Sequence, residues 1–253
     1  MKKILIRSAI VLLILVIVAV VAVGYFLGDI VKKGVETYGP QLAKVSVTVD
    51  NVGVSLLGGS GSVKGLEVGN PEGYRSPEAI TVGRASAAIK PFSVFSDKVV
   101  VRSVRVESPV IHFEGGINEN NLTKILENLN ESSGGTGTNT PAEAGKKLQV
   151  DDLHITDLIV NVHLTTLGER SFKVTIPEIH LTQLGQGPEG ITSADLSRRV
   201  LDVVLQNVTT EVAKAATQLG KEAMGVATDS ASKALTGGVE RATKGLGDLF
   251  KKK

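Results

Sequence analysis

An uncharged apolar stretch near the N-terminus constrains this chain more than any other feature. No charged residue occurs between Ser8 and Leu27, and three cations precede the stretch. A helix needs about 20 apolar residues to cross the hydrocarbon core of a bilayer. We therefore predict a transmembrane anchor over residues 1–28, with a cytoplasmic N-terminus and the bulk of the chain outside. A cleaved signal peptide is the alternative, because Ala22-Val23-Gly24 offers small residues at a cleavage spacing.

The composition favours thin β layers over a thick globular core. The 253 residues include six Phe, three Tyr and no Trp, so burial must rest on Val, Ile, Leu and Ala. The 28 basic and 26 acidic residues nearly balance, and we predict no nucleic-acid partner. The absence of Cys excludes disulfides, Cys-ligated zinc and thiol catalysis.

Alternating apolar and polar residues predict a β unit over residues 45–131. Residues 29–44 are predicted to be a juxtamembrane helix or linker that ends at Gly39-Pro40. The strand near residue 100 shifts its phase between Val101 and Val104, which is typical of a bulge. The unit closes with a short helix whose apolar residues recur at helical spacing: Leu122, Ile125, Leu126 and Leu129.

A second, smaller β unit is predicted over residues 148–190. Residues 132–147, which read mostly as Ser, Gly, Thr, Ala and Glu, have almost no apolar side chain to bury and form a flexible linker. Four short strands in a meander are expected beyond the linker.

A weak internal repeat connects the two units. The segments 101–106 and 110–113 superpose on 150–155 and 159–162 with a constant offset of 49 residues. The match suggests a common architecture, although alternating apolar residues produce such matches easily.

Residues 191–253 are predicted to form a long amphipathic helical tail. Thr192 and Asp195 make a capping box, and apolar residues follow in steps of mostly four as far as Gly237-Gly238. Weak packing on the β body, attachment of the Lys-rich end to a membrane surface and partial disorder are three open interpretations.

The motifs that suggest chemistry have simpler explanations. The sequence from Gly185 to Gly190 matches a dinucleotide fingerprint, but Pro188 removes a phosphate-binding donor and no parallel strand follows, so we predict a turn. His154 with Asp151 and Asp152 could bind a metal, but an exposed charged loop is favoured. The four histidines lie in strand patterns without a metal-binding spacing: His112, His154, His163 and His180. We predict no catalytic, cofactor or metal site, and no enzyme activity.

Four short sequence motifs occur in a characteristic order along the first β unit. They are a glycine-rich turn at 58–61, Gly65-Leu66 at the start of a strand, the turn Asn70-Pro71-Glu72-Gly73, and Asn120-Asn121-Leu122 at the start of the closing helix. The stretch from Val45 to Leu129 thereby resembles the N-terminal unit of the AsmA family, whose relatives include TamB. The resemblance covers about a third of the chain. Members of the AsmA family are inner-membrane-anchored periplasmic proteins of bacteria that assist lipid handling or outer-membrane biogenesis.

The residue patterns predict a mainly β fold with C-terminal α structure: an N-terminal transmembrane helix, an antiparallel curved β-sheet and a long C-terminal amphipathic helix. The resemblance implies that the sheet forms a taco-like groove. The groove would hold phospholipid acyl chains. A non-catalytic interaction module of the cell envelope, whose helical tail binds a protein partner, is the alternative function. Candidate groove residues, each of which could instead be ordinary core, are Val47, Val54, Leu66, Val82, Val104 and Phe113.

Overall fold

The structure, a computed structural model, describes residues 2–133, 146–165 and 170–250, with side chains mainly between residues 26 and 221. It is mainly β with a C-terminal helix, as predicted. The helices are α1 (Lys2–Ala43), α2 (Asn121–Ser133) and α3 (Ser193–Phe250), and the strands are β1 (Val47–Ser55), β2 (Ser60–Gly69), β3 (Glu78–Ile89), β4 (Lys98–Glu107), β5 (Val110–Gly115), β6 (Lys147–Leu164) and β7 (Arg170–Leu184).

All seven strands belong to one curved sheet, so the two predicted β units share a single set of hydrogen bonds. The strands β1 to β4 follow one another as antiparallel neighbours. The strands β4 and β5 lie in tandem, since both pair with β3 on one side and with β6 on the other. The strand β7 pairs with β6.

The prediction of a wholly antiparallel sheet is wrong, because β6 runs parallel to β4 and β5. In this pairing Val101 lies opposite Val150 and Val110 opposite Ile159, a register offset of 49 residues. The sequence repeat has the same offset. Parallel neighbours that share their buried and exposed sides carry the same apolar pattern, which gives the repeat a physical cause.

Each of the long strands β6 and β7 was predicted as two short ones. A left-handed residue explains the apparent break in β6: Asp157 has φ +52° and lies opposite Pro177 of β7. Leu153 and Ile155 are buried just before Asp157, whereas the buried residues after it have even numbers: Leu158, Val160, Val162 and Leu164. The ladder nevertheless continues in unchanged register, so the strand does not end there.

The same irregularity crosses the whole sheet, and we call it the crease. In each ladder one to three positions at this level fall between the bridged pairs, and several of them are glycine, proline or left-handed. Gly65 has φ +59° and Ser108 has φ +47°. From β1 to β7 the crease positions are Asp50, Gly65, Gly83, Ser108, Asp157 and Pro177. The bulge predicted near residue 102 is a separate shift between β3 and β4.

The helix α1 runs along the free edge of β1. Lys32 donates from Nζ to the backbone oxygen of Asp50 at 2.9 Å, and Glu36 accepts from the amide of Val49 at 3.2 Å. These side chains satisfy backbone groups that would otherwise invite edge-to-edge pairing. The helix continues through Pro40 to Ala43, past the predicted end at Gly39-Pro40.

Among the residues that the structure describes, no helix is long and apolar enough to span a bilayer. Most of the predicted anchor, residues 1–28, falls outside the part of the chain whose side chains are described. Most of the predicted linker, residues 132–147, likewise falls outside the described residues.

A buried group of side-chain hydrogen bonds connects the turn after β2 to the start of α2. The Asn121 side chain accepts from the amide of Glu114 at 3.0 Å and donates to Asn70 and to the carbonyl of His112, at 2.8 and 2.6 Å. Asn120 caps α2 by accepting from the amide of Thr123 at 2.9 Å. Asn70, Asn120 and Asn121, which belong to the motifs of the family resemblance, therefore hold the turn after β2 against the start of α2.

The helix α3 begins at the predicted capping box, where the amide of Asp195 donates to Thr192 Oγ1 at 3.0 Å. It continues through Gly237-Gly238, where an end was predicted. The chain divides into two compact units between Thr209 and Thr210. The first holds the sheet, α1, α2 and the start of α3, and the second holds the continuation of that helix.

Candidate functional site: an open apolar sheet face

Two rows of apolar residues cross the sheet on the β4 side of the crease. Cross-strand partners in a ladder present their side chains on the same face, so each row forms a continuous strip. In order from β1 to β7, the first row is Val52, Val63, Ala85, Val106, Ile155 and Ile179, and the second is Val54, Gly61, Ala87, Val104, Leu153 and Leu181.

The two rows differ in burial along their length. On β6 and β7 all four members are buried, at 4 to 8% exposure. On β1 to β4 the side chains are half-buried. We call these β1–β4 members, together with Gly61, the open apolar face: Val52, Val54, Val63, Ala85, Ala87, Val104 and Val106.

The middle of the open apolar face is lower than its sides. Ala85 and Ala87 of β3 and Gly61 of β2 carry the smallest side chains, whereas the β1 and β4 members are all valine. Neighbouring strands lie about 4.8 Å apart, so the valines of β1 and β4 stand about 14 Å from each other across this floor. Val63 of β2 is the one larger side chain on this floor, and we call the floor with its flanking valines the apolar trough.

Three exposed apolar side chains lie in the loops beside one end of this face. Leu57 follows β1 and is 61% exposed, and Phe92 and Phe95 follow β3 and are each 59% exposed. The two loops touch, since a Cβ on Gly59 would lie 3.2 Å from Pro91 Cγ. We call Leu57, Phe92 and Phe95 the apolar rim.

Phe92 occupies this rim at φ +63°, a left-handed conformation that disfavours a bulky side chain. Burial does not repay this strain in an exposed aromatic residue, which makes Phe92 a candidate for a functional role. The sequence prediction did not include the rim residues. Their apolar character near Pro91 was visible, but their exposure was not.

The six predicted groove residues are distributed over several parts of the sheet. Val54 and Val104 lie at the two sides of the trough, in the same row. Leu66 and Val82 are direct partners on the other side of the crease, and Val47 lies one row beyond them. Phe113 is fully buried, at 0% exposure. The structure thus places only Val54 and Val104 on the open apolar face.

A polar cleft lies beyond the crease, between β5, β6 and β7. Its lining includes Ser76, His112, Glu114, His163 and Lys173. His163 meets Ser171 Oγ at 2.8 Å and Arg75 at 3.1 Å, so its ring nitrogens already have partners.

Glu114 is the buried acid of this cleft, at 4% exposure. Burial opposes its ionisation, but hydrogen bonds from Ser76 and from the amides of Arg75 and Ser76 outweigh that effect and lower the pKa of Glu114. The amide distances are 2.7 and 2.8 Å. This carboxylate is held by backbone donors in a structural role.

No family model, no curated protein and no solved structure matches this chain. The geometry of the open apolar face and the sequence resemblance are therefore the grounds on which a function can be proposed.

Proposed function

We propose that this chain is an inner-membrane-anchored periplasmic protein of the AsmA type that assists lipid handling or outer-membrane biogenesis, without enzyme activity. The observation that carries the proposal is the half-buried apolar trough on β1 to β4. An ordinary sheet face of this size is either covered by another layer or polar. Val54 and Val104 would contact acyl chains from its two sides.

The anchor and the rim support the same function. The uncharged stretch from Ser8 to Leu27 would hold the sheet close to a bilayer. The apolar rim would meet acyl chains as they enter the trough. Lys90 and Lys98 flank the rim in sequence, and ammonium groups favour the anionic headgroups of a membrane surface.

One chain would not form a complete conduit between two membranes. The six strand positions from β1 to β7, each adding about 4.8 Å, give a sheet only about 25 to 30 Å wide. The proposed role is therefore local: accepting acyl chains beside the inner membrane, or docking with longer relatives.

Site-specific photo-crosslinking in living bacteria tests this proposal with the full chain. The photoreactive residue p-benzoylphenylalanine would replace Ala87, in the trough, or its neighbour Ser86, which is exposed on the opposite side of β3. We expect phospholipid adducts at position 87 and few at position 86. Equal labelling at the two positions, in variants that fold as the parent does, would refute lipid binding by this face.

A non-catalytic interaction module is the alternative. The observation that favours it is the separate helical unit from Thr210 onward, which is a candidate partner-binding element. Protein adducts at a photoreactive residue placed in that helical unit, without lipid adducts at position 87, would support this alternative.

A further inference from the structure

Two histidine and two carboxylate side chains, types that commonly bind metals, meet on the β6–β7 pair. Asp152 and His154 lie on β6, and Glu178 and His180 lie on β7. Their side chains point to the face opposite the two apolar rows, because they alternate with the buried residue Leu153 and its neighbours. The cluster is therefore independent of the open apolar face.

The register brings the two histidines together. His154 and His180 are direct cross-strand partners, and their rings stack with centroids 4.0 Å apart and an interplanar angle of 16°. Asp152 reaches both rings: its Oδ1 lies 2.5 Å from His180 Nε2 and its Oδ2 lies 2.9 Å from His154 Nε2. One ligand atom from each of these three residues lies within 4.8 Å of the other two.

Glu178 completes the arrangement from the other side of His154. Its Oε1 lies 2.7 Å from His154 Nδ1, so the tautomer that is protonated at Nδ1 donates a hydrogen bond to this carboxylate. A carboxylate that accepts from one ring nitrogen fixes the tautomer in which the other nitrogen can bind a metal. His154 Nε2, which faces Asp152, is that nitrogen.

We propose that Asp152, His154 and His180 bind a divalent cation of intermediate softness, for which Zn²⁺ is the best match. Two imidazole nitrogens and one carboxylate oxygen form a typical three-residue zinc set, with water as the fourth ligand. The side chains are partly exposed, so an ion can reach them. An imidazole binds metal in its ring plane, so the stacked rings tilt apart when the ion enters.

A neighbouring positive charge limits the affinity of this site for a metal cation. Arg105 of β4 lies beside His154 in the parallel register, and its positive charge opposes a cation. The site would join β7 to the rest of the sheet through side chains as well as through its ladder with β6. A bound ion would thereby hold this strand in place.

The test uses the full chain in mild detergent, with Zn²⁺ titrated by calorimetry and Co²⁺ as a spectroscopic probe. We expect one Zn²⁺ per chain and visible Co²⁺ bands of a tetrahedral site. His154→Ala and His180→Ala should each weaken Zn²⁺ binding by about 100-fold, and Glu178→Gln by about 10-fold.

The matched controls are His112→Ala and His163→Ala, which remove histidines outside the cluster and should leave the affinity unchanged. Circular dichroism of each variant separates loss of the site from loss of the fold. Equal Zn²⁺ affinity for the parent and a folded His180→Ala variant would overturn the proposal, as would Co²⁺ bands that survive His154→Ala. Neither result bears on lipid contact with the opposite face.

Discussion

The side-chain amide of Asn121 donates a 2.8 Å hydrogen bond to the side-chain oxygen of Asn70, which lies 51 residues earlier in the chain. The first residue belongs to the Asn120-Asn121-Leu122 motif at the start of α2, and the second opens the turn Asn70-Pro71-Glu72-Gly73. Their contact joins two segments that are far apart in the sequence. The pair holds a turn against a helix, so its role is in the fold.

Replacing Asn121 should therefore be costly for stability. Asn121→Ala leaves the amide of Glu114 and the carbonyl of His112 buried without their partners. Each such group costs about 1 to 3 kcal/mol, and we expect the free energy of unfolding to fall by about 3 kcal/mol. Urea denaturation measures the change. The exposed neighbour Asn118, replaced by Ala, should change it by less than about 0.5 kcal/mol.

Glu114 should make the stability depend on pH. Its pKa in the folded protein is lower than the ordinary value of 4.5, so the stabilisation is complete at neutral pH and is lost as the pH falls below about 4.5 through the folded pKa. The stability difference between the parent and Glu114→Gln should shrink between pH 7 and pH 3, as measured by urea denaturation. The variant Glu119→Gln, at a nearby exposed position, gives the baseline for removing one carboxylate. A difference that stays constant with pH would contradict the role of Glu114.

Of the two glycines on the crease, Gly83 should tolerate replacement by alanine and Gly65 should not. Gly65→Ala places a Cβ against the carboxylate of Asp50 at φ +59°, and we expect a loss of about 2 kcal/mol or more. Gly83, which also lies on the crease, has no left-handed backbone, and a Cβ added there would meet no atom within 4 Å. Gly83→Ala should therefore be nearly neutral. Thermal and urea denaturation of the two variants would test this, and equal losses would contradict it.

Replacing Phe92 by asparagine should stabilise the folded protein. Asn tolerates a left-handed backbone better than an aromatic residue does, and Phe92 buries little surface to lose. We expect Phe92→Asn to raise the free energy of unfolding by up to about 1 kcal/mol. The matched control is Phe95→Asn, because Phe95 is equally exposed but lies in a short 3₁₀ helix. If Phe92 is retained for lipid contact, the same variant should also lower lipid crosslinking at position 87.

Local pattern was sufficient to predict most strands, the closing helix and the α3 cap. Each of these depends on neighbours within a few residues, such as Thr192 and Asp195. The parallel pairing of β6 was not predicted, although the 49-residue repeat contained its register. Alternation alone does not tell a repeat of two domains from two neighbouring strands of one sheet.

The histidine cluster shows why sites made by pairing are difficult to find in a sequence. Asp152 and His154 are two residues apart, as are Glu178 and His180, so each pair shares one side of its strand. Without the register between β6 and β7, nothing placed His154 opposite His180. The exposure of Phe92 and Phe95 likewise depends on how two loops meet, which no local pattern encodes.

The crease also restricts how this protein can change in length. A single deletion at Gly65 or at Asp157 would slip one strand by a residue and turn its remaining side chains to the wrong side of the sheet. Removing one crease residue from every strand at once would leave the register between neighbouring strands unchanged. The six crease positions are therefore coupled, because a strand can lose its crease residue without a change of register only if its neighbours lose theirs.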